Sequence, residues 1–432
     1  MTGHAISPAP SPPVGLYVHV PFCVSLCPYC DFVVLAGANA RGPRNRIGAL
    51  MAGLLTEIEL RADALDAQFG PPEAAGPSSS ARPVSPVRPP LETVYLGGGT
   101  PSLLPGDVLS ELLDLIRHRF GLVPRAEVTL EANPGPDERG DAGDQRRAGV
   151  TRLSFGAQSL DPGELRRLGR RHRPEDVAEA VAAARAAGIG SVSLDLLYDV
   201  PGQSLAGWMA TLRAALELVP DHLSLYALTL DDPDGEGLTG PTGDHLPTRP
   251  GARRWRARAR TGQDEDRAAA QYTAASELLD RGGWRGYEIS NWARPGHDSR
   301  HNLIYWQRRP YEAVGPGAHA FDGTTRRWNA ARLDGYLAAL RPGDGSAPRL
   351  PPGGAESLDA AVMTSERLIL GLRTDRGVPA SELGGPRIDL LRWALDASLL
   401  RIDDDRRARL TTRGRLLSKG VSPRVVGIEG AT

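Results

Sequence analysis

The stretch Leu16-Tyr17-Val18-His19-Val20-Pro21-Phe22-Cys23-Val24-Ser25-Leu26-Cys27-Pro28-Tyr29-Cys30-Asp31-Phe32 begins as a strand and ends as a loop built to hold metal. Residues 16–20 are mostly β-branched, aromatic or aliphatic, and Pro21, which has no N–H for a ladder, closes the run. The cysteines that follow, spaced Cys23-x3-Cys27-x2-Cys30, are the 3 cysteines of the chain. So few cysteines make no disulfide framework, and clustered thiols of this kind point to zinc or an iron–sulfur cluster. Structural zinc takes four ligands, and the nearest candidate for a fourth is His19. A [4Fe–4S] cluster is usually held by four cysteines, so three leave one iron open. The amino and carboxylate groups of S-adenosylmethionine can chelate an open iron, and one electron passed to the sulfonium then releases a 5′-deoxyadenosyl radical. In such a site the cofactor carries the chemistry and the protein supplies placement.

The remaining composition is that of an ordinary globular chain. Its 432 residues make room for a large domain and a smaller one, and 41% apolar residues suffice for a substantial core. A net charge of −1 argues against a nucleic-acid partner and leaves at most a transient membrane association. No apolar run approaches a membrane span. Residues 1–13 lack the basic and apolar regions of a signal peptide and read as a flexible leader, which makes the expected location cytoplasmic.

Beyond the cysteines, apolar residues recur at helical spacing over 44–68. Residues 71–90 are rich in Pro, Ser and Ala and read as a disordered insertion. Strand candidates then follow at 93–96, 127–131, 152–155, 191–197 and 222–228, with helix candidates between them at 105–120, 137–148, 174–187 and 205–218. Counting the first strand, this gives six βα-like units and a parallel sheet: a barrel, a partial barrel or an open doubly wound sheet. Residues 235–266 break the pattern with Gly, Pro and Thr, then six arginines over 249–260. They read as a solvated low-complexity insertion, with a basic surface for an anionic partner as the alternative. A connecting region covers 267–354. From about 355 onward, helices and a hairpin over 399–411 suggest a smaller C-terminal domain with a winged-helix-like module.

The segment from Tyr17 to Phe32 resembles the radical SAM family that contains oxygen-independent coproporphyrinogen III oxidase and the HemW heme chaperones. The resemblance runs over 14–230 and 265–420. It implies an α/β fold, a partial (β/α)6 radical SAM barrel, with the smaller C-terminal domain behind it. It also implies a three-cysteine [4Fe–4S] cluster with exchangeable S-adenosylmethionine. Carried over by motif, Tyr17 and Tyr29 lie beside that cofactor. Gly97-Gly98-Gly99-Thr100-Pro101 contacts its methionine end, the glycines allowing close backbone approach. Glu131, Gln158, Arg170 and Asp195 are further contacts, and Thr229 another through its backbone. Asp199-Val200-Pro201-Gly202-Gln203 departs from the family's Gly-Leu-Pro-Gly-Gln at Asp199.

Two features separate the branches. The oxidases carry a fourth cysteine where this chain has Phe32, and His301-Asn302-Leu303-Ile304-Tyr305-Trp306 resembles the HNxxYW motif of the HemW branch. Imidazole is a common heme ligand and aromatic rings suit a porphyrin face. His301 is therefore expected to contact heme, with packing between the two domains as its alternative role. His319 is expected to be structural or a second residue beside heme. The function implied is heme binding and transfer to a recipient hemoprotein of respiration. The rival readings are the coproporphyrinogen III oxidase and a radical SAM methyltransferase or cyclopropanase.

Overall fold

A computed structural model describes residues 9–42, 45–73, 86–231, 233–341, 343–383 and 388–426. Six strands run parallel in chain order: β1 (Gly15–Val20), β2 (Leu91–Gly98), β3 (Leu122–Ala132), β4 (Arg152–Gln158), β5 (Ser191–Tyr198) and β6 (His222–Ala227). Helices return the chain between them, among them Ile47–Phe69, Gly106–Phe120, Pro174–Ala186 and Leu205–Glu217. The barrel does not close. On one side β1 pairs with Tyr311–Val314, on the other β6 pairs antiparallel with Asn291–Ala293, and the whole mixed sheet has 12 strands. The expected partial (β/α)6 barrel is the core of the molecule.

Each barrel strand alternates. Leu16, Val18 and Val20, Val94 and Leu96, Val128 and Leu130, Leu153 and Phe155, Val192 and Leu194, and Leu223 and Leu225 all join one apolar core with the helices. Between them in sequence stand Tyr17, Tyr95, Glu131, Ser154, Asp195 and Ser224, which a period of two turns to the opposite face. Parallel strands covered on both faces usually read as continuous apolar runs. This barrel keeps a polar inner face, which is the wall of a ligand site.

Local chemistry sets the boundaries. The helix expected over 137–148 starts only at Ala142, because the Asp141 carboxylate accepts from the Asp144 N–H at 2.8 Å and caps it. The expected insertion 71–90 falls partly outside the described residues, but its C-terminal end is pinned. Arg88 is buried, donating to Asp66 Oδ1 at 2.9 Å and to the Arg119 carbonyl at 2.7 Å. Of the leader, 1–8 lie outside the described residues, and Ser11 donates to the Asp322 carbonyl at 2.8 Å. Asp199, the departure from the family pattern, adopts φ +56°, and its carboxylate pairs with Arg267. The ion pair compensates a conformation that glycine would adopt without cost.

The reading of 235–266 as a solvated low-complexity insertion is corrected over 250–260. Residues Pro250–Arg260 form a helix opened by its proline. Ala259 and Trp255 pack with Leu168, Leu197, Val200, Leu228 and Leu230 in a small core above the barrel. A run of arginines can lie on a docked helix when alternate positions point elsewhere, a distinction that composition does not register. At the C-terminal end, the expected hairpin forms from Leu400–Ile402 and Arg407–Leu410, and Val378–Pro379 adds a third strand. These strands and helices Ala360–Leu372, Ile388–Asp396 and Ser418–Val426 surround a separate apolar core.

Candidate functional site

The three cysteines lie half-buried and unpaired in the loop after β1, at the C-terminal mouth of the barrel, where parallel strands present ligand contacts. Two polar donors address their sulfurs. The Thr100 hydroxyl donates to Cys23 Sγ at 3.4 Å and the Arg170 guanidinium to Cys27 Sγ at 3.4 Å. Burial pushes the Cys23 thiol up to about 11 and the Cys30 thiol higher still. Such thiols ionise when a metal takes their proton's place. Among the described residues, no three His, Cys, Asp or Glu gather closely enough for a single metal ion. His19, the fourth ligand of the zinc alternative, is engaged elsewhere, with Nε2 against the Val33 carbonyl at 2.8 Å and Nδ1 against the Tyr17 hydroxyl at 3.0 Å. Three half-buried thiols addressed by a hydroxyl and a guanidinium are a donor set suited to the soft iron of an iron–sulfur cluster.

Deeper in the mouth, Glu131 accepts from the Tyr95 hydroxyl at 2.6 Å and from the Gly98 N–H at 3.0 Å. Burial, with Asp195 nearby, raises its carboxyl to about 7. Asp195 accepts from the Ser154 hydroxyl at 3.1 Å, and burial raises its pKa too. Arg170 also donates to Asn133 Oδ1 at 2.5 Å and to the Gly156 carbonyl at 2.6 Å. Gln158 sits where the β4 register shifts, at φ +65°. A non-glycine residue held there is the kind of strain found at ligand sites. Tyr17 stacks on Tyr95 at 6.1 Å, and Tyr29 lies 6.4 Å from the Trp255 ring. The structure thus gathers Tyr17, Tyr29, Gly98, Thr100, Glu131, Gln158, Arg170 and Asp195 around the cysteine loop and the inner wall beneath it. Thr229 is exposed just past β6.

The glycine loop needs its glycines for the protein's own packing. A Cβ on Gly98, at φ +105°, would collide with the His19 ring, and one on Gly99 would meet the Pro21 carbonyl carbon at 2.8 Å. Gly98→Ala is expected to cost roughly 3 kcal/mol, from strain and overpacking together, measured by urea unfolding. A loss below about 0.5 kcal/mol would show that the loop yields freely.

Sequence reasoning missed Asn133 and Glu138. Asn133 bridges the Thr100 hydroxyl and Glu138 Oε1, each at 3.1 Å, and so links both cysteine-directed donors. Their signal was present: Asn133 directly follows the strand that carries Glu131. Arg256 had no such signal. It is 4% exposed, and its guanidinium donates to the carbonyls of Pro28 at 3.2 Å, Tyr29 at 3.4 Å and Cys30 at 2.8 Å, and to that of Asp231. One side chain therefore holds three consecutive carbonyls of the cysteine loop. Arg256→Ala should speed amide exchange over 26–35 in the metal-free protein and release iron about tenfold faster to a chelator once a cluster is built. Unchanged exchange would remove the clasp.

His301 stands at the other end of the barrel. Its Nδ1 meets the Thr93 hydroxyl at 2.7 Å and its Nε2 the Tyr305 hydroxyl at 2.8 Å. The ring stacks on Tyr95 at 5.2 Å and is 1% exposed, and burial lowers its pKa to about 3. In this structure both ring nitrogens satisfy buried hydroxyls, the packing role expected for His301 as the alternative to a heme contact. Helix Arg300–Trp306 closes the barrel floor, and Arg373 lies over the Trp306 ring at 5.4 Å, joining floor and C-terminal core. His319 is at the mouth, with Nε2 2.8 Å from Asp244 Oδ2, and stacks on Trp328 at 6.0 Å.

Six open β/α units with three cysteines at their mouth define a radical SAM protein, and the Radical SAM superfamily model matches residues 81–215. The chain belongs to the HemW family within it. It is 37% identical over 424 residues to the Mycobacterium tuberculosis protein named heme chaperone HemW, covering 98% of this chain and 97% of that one. It is 36% identical to the Escherichia coli heme chaperone HemW over 310 residues, 71% of this chain and 70% of that one. The solved structure of E. coli coproporphyrinogen III oxidase, a radical SAM enzyme, superposes with a TM-score of 0.73 at 21% identity, covering 97% of this chain and 91% of that one. That likeness concerns the fold. Among the described residues, no helix is long and apolar enough to cross a membrane.

Proposed function

We propose that this protein is a heme chaperone. It holds a [4Fe–4S] cluster on Cys23, Cys27 and Cys30, takes S-adenosylmethionine at the remaining iron, binds heme, and passes it to a recipient hemoprotein of respiration in the cytoplasm. The observation that carries this reading is the 37% identity to a named heme chaperone across 98% of the chain. When bound, the cluster supplies one electron and S-adenosylmethionine its reducible sulfonium. The chain's own residues set the frame: Thr100 and Arg170 steady the sulfurs, Glu131 and Asp195 offer carboxylates to amino N–H groups and to hydroxyls, and Tyr17, Tyr29, Gly98, Gly99 and Gln158 shape the walls. The oxidase reading has against it Phe32, which stands where that branch has its fourth cysteine. Anaerobic titration of cluster-loaded protein with hemin, followed in the Soret band, tests the proposal. Saturable uptake and transfer to an apo-hemoprotein support it. Absent uptake with turnover of coproporphyrinogen III would replace it with the oxidase.

Glu131 gives this reading a pH signature. Its raised pKa means that it is neutral in mildly acidic solution and ionised above about 7. The ionised form accepts more strongly from the N–H of an iron-bound amino group, so S-adenosylmethionine should bind more tightly as pH rises through that value, and Glu131→Gln should flatten the profile. The same ionisation opposes folding: the contribution of the neutral carboxyl is full below the unfolded pKa and is lost as pH rises through about 7. Equal pH profiles for wild type and variant by calorimetric titration would exclude the contact between Glu131 and the amino group.

A further inference from the structure

We propose that the heme ring docks in a cavity between the cysteine loop and helix Pro250–Arg260, with Phe32 against the macrocycle and Arg249 facing its carboxylates. The proposal rests on the heme-chaperone reading. The cavity measures about 600 Å3; Cys27 and Cys30 form part of its wall, so heme would lie beside the cluster, and the rest is lined largely by apolar side chains, among them Leu26, Phe32, Val34 and Leu246. That size lies within the ordinary range of about 300–1,000 Å3 for small-molecule sites. Phe32 is 62% exposed, an aromatic ring left in water at the wall of a cavity. Such a surface gains most from a flat apolar partner.

Charge selects among flat ligands. Two arginines line the cavity. Arg256 is committed to the loop carbonyls, whereas Arg249 is exposed and opens toward solvent at the start of the helix. Asp31 also lines the cavity and would repel an anion at its own side, so a carboxylate-bearing ligand must turn its acids toward Arg249. A porphyrin meets this demand, because its propionates share one edge of an otherwise apolar plate. The walls are firm: Arg256 ties the loop on one side, and Ala259 and Trp255 seat the helix on the other. At the barrel floor, by contrast, both nitrogens of His301 already hold buried hydroxyls.

The test is a Soret titration with hemin, and in parallel with its dimethyl ester, on full-length protein of matched iron content. Wild type, Phe32→Ser, Arg249→Glu, Ala252→Trp and His301→Ala are compared. Phe32→Ser and the cavity-filling Ala252→Trp should each weaken hemin about tenfold or more. Arg249→Glu should weaken hemin but leave the ester, which has no acid to pair, nearly unchanged. Phe32 and Arg249 are exposed, so those two variants decide the matter even if Ala252→Trp fails to fold. Wild-type affinity in both surface variants would overturn this site while leaving the heme-chaperone reading intact. No saturable binding by wild type would overturn that reading, and this site with it.

Discussion

Cys27→Ser should fold as the wild-type apoprotein does and yet carry no iron or labile sulfide after anaerobic reconstitution. The sulfurs contribute little to the protein's own cohesion: Cys27 receives one long bond, 3.4 Å, from Arg170. The serine hydroxyl can take that bond over, so melting curves of the two apoproteins should nearly coincide. Metal is another matter, because serine offers no thiolate and the spacing admits no substitute among the described residues. Reconstitution of the wild type should also accelerate with pH. Burial holds Cys23 near 11, and each sulfur must lose its proton to bind iron. Retention of one zinc per chain by wild type, with no iron, would instead favour the mononuclear alternative.

His301→Ala is expected to lower the unfolding free energy by about 3 kcal/mol, a loss as large as that of Gly98→Ala. The imidazole satisfies two buried hydroxyls, Thr93 and Tyr305, and fills the space against Tyr95. Alanine leaves both hydroxyls without that partner and opens a void beside Tyr95. Heme affinity should be affected far less than stability, because the ring is at the floor and the cysteine loop is at the mouth. Heme binding abolished in a variant of wild-type stability would restore His301 as a heme contact.

The two predictions mark where reading by motif succeeded and where it was incomplete. Cys23, Cys27 and Cys30 lie within eight residues of one another, and local spacing alone brings them together. The strands were equally legible, since a run such as 191–197 has the same β-forming chemistry in any context. The inner face could have been read as well: Tyr17, Tyr95, Glu131 and Asp195 each follow an outward-facing apolar residue by one position, a pattern the sequence states strand by strand. The role of His301 was less accessible. Its motif was recognisable, but a histidine's availability depends on what its two nitrogens meet, and Thr93 is 208 positions away in the chain.

Sequence by itself determined the cysteine triad, the β/α succession and the family. Each rests on local order: spacing within a loop, period within a strand, residue identity along a motif. Tertiary structure alone decided that Arg256 grips the carbonyls of Pro28, Tyr29 and Cys30, more than 220 positions earlier, and that the arginine-rich segment is a docked helix beside the cysteine loop. Composition sums charge over neighbours in sequence. A guanidinium's role is set by which acceptors lie within about 3 Å, and folding chooses those.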